Sequence, residues 1–245
     1  MGRIQRAFET QFRSILIGMG ARCPDKGVNW LLAKAAKLAA DGCFSETDAL
    51  VHVAETLLEK HARKQAVGTG PSEKPQVFWC DAGLGGLARW LRAAGYVARW
   101  EESIDDADLL VRAENEQAVV ISTDSLLLER RKVVDGSVRV FWVPPACGVA
   151  GQMRLVLRRW NLVLREPLCM LCSGVLDRID KESVRDRIPP RTYRWLDDYY
   201  VCRGCGRLFW RGTHWKRIRN QLETLCAGKV ATEDQTGPGI SEVPL

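Results

Sequence analysis

Two short apolar runs each end on an aspartate: Val77-Phe78-Trp79-Cys80 leads into Asp81, and Val119-Val120-Ile121-Ser122-Thr123 leads into Asp124. Runs rich in β-branched and aromatic residues, with no helical period, read as buried strands of a parallel sheet. Ligands of open α/β sheets bind beyond the carboxyl ends of the strands. Two carboxylates delivered there by separate strands are what a divalent cation such as magnesium needs. An ionised acid beside a buried strand is costly unless it is paired or bound to a metal. A third acid comes from the cluster Glu101, Glu102, Asp105, Asp106, Asp108. Asp106 falls at a helix N-terminus, where metal ligation and helix capping both suit it. Ser122, Thr123 and Ser125 flank Asp124 and are placed to orient its carboxylate or a water. There is no Gly-x-x-x-x-Gly-Lys-[Ser/Thr] phosphate loop, and Gly83, Gly85 and Gly86 do not make a dinucleotide fingerprint.

Downstream, Cys169-Met-Leu-Cys172 and Cys202-Arg-Gly-Cys205 stand 29 residues apart, each pair followed by small residues. That is the knuckle pattern of a zinc ribbon, in which four thiolates close a tetrahedral structural site with no open position for catalysis. Cys23, Cys43, Cys80, Cys147 and Cys226 have no such spacing and read as ordinary thiols. Around the ribbon, Arg203, Arg207, Arg211, Lys216, Arg217 and Arg219 interleave with Tyr199, Tyr200, Phe209, Trp210 and Trp215. Basic and aromatic residues so mixed suit single-stranded nucleic acid, although some of the rings must serve as core. Arg207, His214 and Trp215 are the candidates here for substrate contact. Arg89 and Arg92, three apart on the helix after Asp81, share its face opposite the Leu84, Leu87, Ala88, Leu91 stripe. Guanidinium groups there suit phosphate, or balance the acids as ion pairs.

Four strands alternating with helices must position these groups: strands at 77–81, 97–100, 118–123 and 138–143, and helices near 84–94, 106–115, 125–132 and 149–160. That alternation implies a parallel sheet with right-handed crossovers. The expected organisation is a helical region at 1–65, a linker at 66–76, the α/β domain at 77–165, a zinc-ribbon module at 166–225 closing with a helix, and a disordered tail at 226–245. The first region, with His52 and His61, carries no pattern that suggests chemistry; packing or a protein partner is its default role. Residues 76–168 hold 12 basic and 12 acidic side chains, and residues 169–222 hold 12 and 6, so the net charge of +6 resides in the ribbon region. A local basic excess fits nucleic-acid contact or a solvated face. Nine cysteines and no secretory apolar segment argue against a disulfide framework and for a reducing, intracellular compartment, cytoplasmic by default. The arginine-rich start faintly resembles an organelle-targeting peptide, but reads first as an amphipathic helix. No apolar run approaches a membrane span.

CDAGLGGLARWLRAAGY, the acid cluster with Asp108-Leu109-Leu110, VVISTD, and two knuckles ending in CGRLFWRGTHWKRI together resemble the Mut7-C domain over residues 76–222. That resemblance implies a PIN-like ribonuclease fold, a parallel sheet flanked by helices, with a C-terminal zinc ribbon. It implies that Asp81, Asp106 and Asp124 bind Mg²⁺ or Mn²⁺ and that the protein cuts RNA. It carries Arg89 and Arg92 onto the family's basic helix positions, and Cys169, Cys172, Cys202 and Cys205 onto its zinc ligands. Two departures stand out: Thr123 where the family's third motif usually has Arg, and no clear fourth acid, Asp135 falling in a turn. The expected function is a metal-dependent ribonuclease; the alternative is a non-catalytic RNA-binding protein on the same scaffold.

Overall fold

The computed structural model of the chain describes residues 2–42, 44–67 and 75–227. Most of the expected linker, the expected tail beyond residue 227, and Cys43 lie outside them. Three helices come first: α1 (Gly2–Gly18), α2 (Pro24–Ala40) and α3 (Glu46–Val67). Then β1 (Val77–Cys80), α4 (Gly85–Ala93), β2 (Val97–Trp100), α5 (Asp106–Asn115), β3 (Val119–Ser122), α6 (Arg131–Val134), β4 (Arg139–Trp142) and α7 (Gly148–Arg159) alternate as the sequence predicts. All three strand pairings are parallel, and the spatial order is β2-β1-β3-β4. The chain therefore winds outward from β1 in one direction and from β3 in the other.

Alternation along the strands divides the core. Phe78, Cys80, Val119 and Ile121 face one layer with α4 and α7, while Trp79 and Val120 face the other with Leu109, Leu110 and Ala113 of α5. One element departs from expectation. The helix expected at 125–132 is a 3₁₀ turn, Ser125–Glu129, followed by the short α6, because Arg130 between them is extended (φ −65°, ψ 139°).

Two of the glycines after Asp81, Gly85 and Gly86, allow close packing. A Cβ on Gly85 would lie 2.8 Å from the Trp100 ring, and one on Gly86 would lie 2.9 Å from Val149. The Trp100 indole N–H, seated there, donates to the Ala82 carbonyl at 2.8 Å. A strand residue thus pins the loop that carries Asp81.

The first three helices are built onto the α/β layer. Phe8 meets Trp142 edge-on at 5.0 Å, and Gln11 donates to the Trp142 carbonyl at 3.2 Å, covering the end of edge strand β4. Glu55 and Glu59 of α3 pair with Arg158 of α7 at 3.2 and 2.9 Å. Phe8, Phe12, Ile15 and Leu58 belong to the same apolar cluster as Phe78 and Ile121. Among the described residues no helix is long and apolar enough to cross a membrane.

The ribbon is a three-stranded antiparallel sheet of β5 (Leu176–Ile179), β6 (Tyr199–Cys202) and β7 (Leu208–Trp210), with α8 (Pro190–Trp195) between β5 and β6. The last helix, α9 (Thr213–Cys226), returns Ile218 and Leu222 to the main core. Because α1 shares that core, Phe8→Ala should lower the unfolding free energy of the whole α/β domain by about 3–5 kcal/mol. Chemical denaturation should keep a single transition; a separate early transition, with the main one unmoved, would show that the helices are independent.

Candidate active site and cysteine centre

In a parallel sheet of order 2-1-3-4 the crossovers leave β1 and β3 on opposite sides, opening a crevice beyond their carboxyl ends. Asp81 and Asp124 stand at those two ends. The ladder continues one residue past β1, where the Asp81 N–H donates to the Ile121 carbonyl at 3.0 Å. Ser122, fully buried, joins the two acids: its hydroxyl donates to Asp81 Oδ2 at 2.6 Å and accepts from the Asp124 N–H at 2.9 Å. Asp81 Oδ1 accepts from the Ala82 N–H at 2.7 Å, and Asp124 Oδ1 accepts from the Leu126 N–H at 2.9 Å. Both carboxylates are thus oriented by the turns they begin, and among the described residues no hydrogen bond to Asp124 Oδ2 is seen.

Asp106 does not cap α5. Asp105 does, accepting from the N–H groups of Ala107 and Asp108 at 2.8 and 2.9 Å. Asp106, one position on, pairs with Arg130 at 2.8 Å. Hydrogen bonding and attraction from Asp106, with a further contribution from Asp124, hold the Arg130 guanidinium above its ordinary pKa. Arg130 therefore stands in the field of two of the three acids. Among the described residues, only the four ribbon cysteines form a group of three or more His, Cys, Asp or Glu side chains gathered closely enough for one metal ion. Asp81, Asp106 and Asp124 do not form such a group, and Asp106 is engaged by Arg130. Asp135 takes no part. It precedes β4, at the opposite edge, and accepts from the Ser137 N–H at 2.9 Å. Beyond the carboxyl end of β4 the chain reads Val143-Pro144-Pro145-Ala146-Cys147, without an acid.

The Sγ atoms of Cys169, Cys172, Cys202 and Cys205 all lie within 4.8 Å of one another, with Cys169–Cys205 at 3.6 Å and Cys172–Cys202 at 3.4 Å. A zinc tetrahedron with bonds of about 2.3 Å has sulfur–sulfur edges of about 3.8 Å, so the quartet fits that ion. Burial pushes the Cys202 thiol up, but N–H groups of Cys205 and Gly204 and the neighbouring sulfurs outweigh it, leaving it near 7. The second knuckle turns at Gly206 (φ +68°) and the first at Ser173 (φ +65°). A left-handed serine is strained, and its hydroxyl explains why it stands there. It donates to the Ala98 carbonyl at 3.0 Å and accepts from the Ala98 N–H at 3.2 Å, closing the outer edge of β2.

Arg92 completes this joint and corrects the expectation that it shares an open face with Arg89. It is buried. Its Nε donates to Ala98 O at 2.7 Å and to Ser173 Oγ at 3.1 Å, and its Nη1 donates to the carbonyls of Met170 and Leu171 at 2.8 and 2.9 Å. All its bonds go to protein, so phosphate has no access to it. Arg89 is exposed, without an ion-pair partner among the described residues. Arg207 and His214 are exposed on the ribbon and at the start of α9. Trp215 is half-buried beside Arg211, whose guanidinium lies 5.2 Å from its ring and 5.1 Å from that of Tyr200. Sequence reasoning overlooked Arg130 and the Ser173 joint. A serine at a knuckle position that favours glycine was the available signal.

A four-strand parallel sheet thus carries acids at its switch point and has a four-cysteine ribbon clamped to its edge. The family model described as Mut7-C RNAse domain matches residues 76–222, and the chain belongs to that family. Comparisons with curated proteins and with solved structures return no match. The matched span takes in the sheet, both acidic strand ends and the ribbon, and points to an RNA-related, nuclease-type role.

Ser173→Gly separates backbone strain from hydrogen bonding. Relief of the positive φ should return about 1 kcal/mol. Leaving the Ala98 edge unpaired should cost about 1–3 kcal/mol, for a net loss of about 1 kcal/mol by thermal or chemical denaturation. A stabilised variant would show that the hydroxyl contributes nothing.

Proposed function

We propose that the protein is a metal-dependent ribonuclease that hydrolyses RNA phosphodiesters at the crevice between β1 and β3. The observation that carries this reading is the Ser122 bridge, which fixes Asp81 and the backbone of Asp124 side by side at the switch point. The donor set is oxygen only and hard, and suits Mg²⁺ or Mn²⁺. Asp81 and Asp124 would hold the ion, with Asp106 joining on exchange of its Arg130 partner. When bound, such an ion supplies an activated water and neutralises charge building on the phosphodiester. The chain's own part is preorganisation. Ser122 holds Asp81 Oδ2, the turn at Leu126 holds Asp124 Oδ1, and Arg130 supplies a cation beside the acids that can turn toward a phosphate. Zn²⁺ in the cysteine quartet would serve structure, since four protein ligands leave no open position. A reducing, intracellular setting keeps those thiols available. Of the sequence's candidates for RNA contact, Arg92 is buried, and Arg89, Arg207, His214 and Trp215 are kept.

A second reading, a non-catalytic RNA-binding protein, is favoured by one feature. The end of β4 offers no acid, and Asp106 is already satisfied by Arg130. Labelled RNA incubated with the zinc-loaded protein decides between them. Cleavage should require Mn²⁺ or Mg²⁺, and Asp81→Asn and Asp124→Asn should each slow it at least ~100-fold. Ser122→Ala should slow it about 10- to 100-fold, as the loss of an orienting partner does at metal sites. Binding without cleavage in either metal would establish the scaffold reading. Cleavage at the wild-type rate in both Asn variants would remove the acids from the mechanism.

A further inference from the structure

Between β5 and β6 the ribbon makes an excursion far longer than a hairpin needs. Antiparallel neighbours are commonly joined by about 2–5 residues, whereas β5 ends at Ile179 and β6 begins at Tyr199. The excursion holds a 3₁₀ turn over Glu182–Arg187 and then α8, started by Pro189-Pro190. It has a small core of its own: Val184, Ile188 and Tyr199 are buried together, with Tyr193, Leu196 and Trp210 packed against them. The Tyr199 hydroxyl sits 3.1 Å from both the Thr192 and Leu196 carbonyls, tying the end of α8 to β6.

The outer surface of this arm is rich in arginine. Arg185, Arg187, Arg191 and Arg194 are all exposed, and none has a carboxylate partner among the described residues. Nearby basic residues are spoken for: Arg178 pairs with Asp198, Lys181 with Asp197 and Arg203 with Asp177. Residues 182–195 hold two acids, Asp186 and Glu182, and Glu182 accepts from the Tyr193 hydroxyl. Trp195, at the end of α8, is 77 % exposed, the most exposed large apolar side chain among the described residues. A tryptophan held out in water on a braced element, beside unpaired guanidinium groups, has the chemistry of a base-stacking platform with backbone-tracking charge. At its base Leu196 comes within 4.0 Å of where a Cβ on Gly212 would be, so the arm adjoins the segment carrying Arg211, His214 and Trp215.

We propose that residues 182–195 form a single-stranded RNA-binding arm, with Trp195 stacking on a base and Arg187, Arg191 and Arg194 following the phosphates. The choice of RNA rests on the family reading above; the preference for single strands rests on the exposed ring, since bases inside a duplex offer no free face. The arm assigns a substrate class to the protein: unpaired RNA threaded across the ribbon.

The test is fluorescence anisotropy with the full chain, zinc-loaded and carrying Asp81→Asn to prevent cleavage. The probes are a fluorescein-labelled 12-nucleotide single-stranded RNA and a blunt duplex of the same sequence. The single strand should bind more tightly than the duplex, and Trp195→Ala should weaken it roughly tenfold. The triple variant Arg187→Ala, Arg191→Ala, Arg194→Ala should reduce the slope of log affinity against log salt by about 2, at about 0.7 per contact for single strands. Arg139→Ala, on β4, should change neither value, and zinc content and circular dichroism of each variant should match the parent. Affinities within twofold of the parent in both arm variants, or a duplex bound as well as the single strand, would overturn the proposal. Such a failure leaves cleavage by the Asp81 parent untouched, and absence of cleavage leaves the binding result standing, so the arm and the nuclease are tested apart.

Discussion

Two adjacent parallel strands whose chains depart to opposite sides leave the space beyond their carboxyl ends unfilled. That constraint, set at β1 and β3 by the order β2-β1-β3-β4, governs the candidate site. Acids elsewhere on the sheet would be surface charges; at this point they are delivered as a pair. The spacing of the pair is set by a backbone ladder that continues to Asp81 and by one buried hydroxyl, Ser122, that both residues share. Trp100, anchored to the Ala82 carbonyl and seated over Gly85, holds the loop below. Sheet topology and local hydrogen bonding thus agree on one place.

The ribbon depends on the same sheet through its opposite constraint, the exposed edge. An unpaired edge strand invites adventitious pairing, and here the first cysteine knuckle closes β2 with Ser173 while Arg92 ties the knuckle's carbonyls to the strand. Order in the cysteine centre and order at the β2 edge are therefore linked. At the other edge, α1 covers the end of β4 through Phe8 and Gln11. The family match begins after the three N-terminal helices, yet their side chains and those of the sheet form one core. The helices thus act structurally on the α/β domain whatever partners they meet.

Much of this was legible in the sequence. Strand runs ending on Asp81 and Asp124, the helix start beside Asp106, and the two knuckles are local patterns, and local patterns survive folding. The four strands and the cysteine quartet stand where those patterns put them. What was not legible depends on partners distant in sequence. Arg92 sits three residues from Arg89 at a spacing that promised a shared face, but its bonds run to Ala98, Met170, Leu171 and Ser173, which periodicity cannot see. Asp105 rather than Asp106 took the cap, a one-residue choice decided by backbone dihedrals. Arg130 broke the helix expected at 125–132 and met Asp106 instead. The packing of Phe8 on Trp142 was not legible either, since the two residues lie far apart in the sequence and no local pattern links them.

The central claim is that the crevice between β1 and β3 is a divalent-cation site made by Asp81 and Asp124. Anomalous diffraction from crystals of the zinc-loaded protein soaked in Mn²⁺ tests it directly. The account predicts a manganese peak within about 2.3 Å of oxygens from both aspartates, separate from the zinc peak in the cysteine quartet, with Asp106 turned away from Arg130. A map with the zinc peak alone, or with manganese elsewhere on the surface and none between these strand ends, would contradict it.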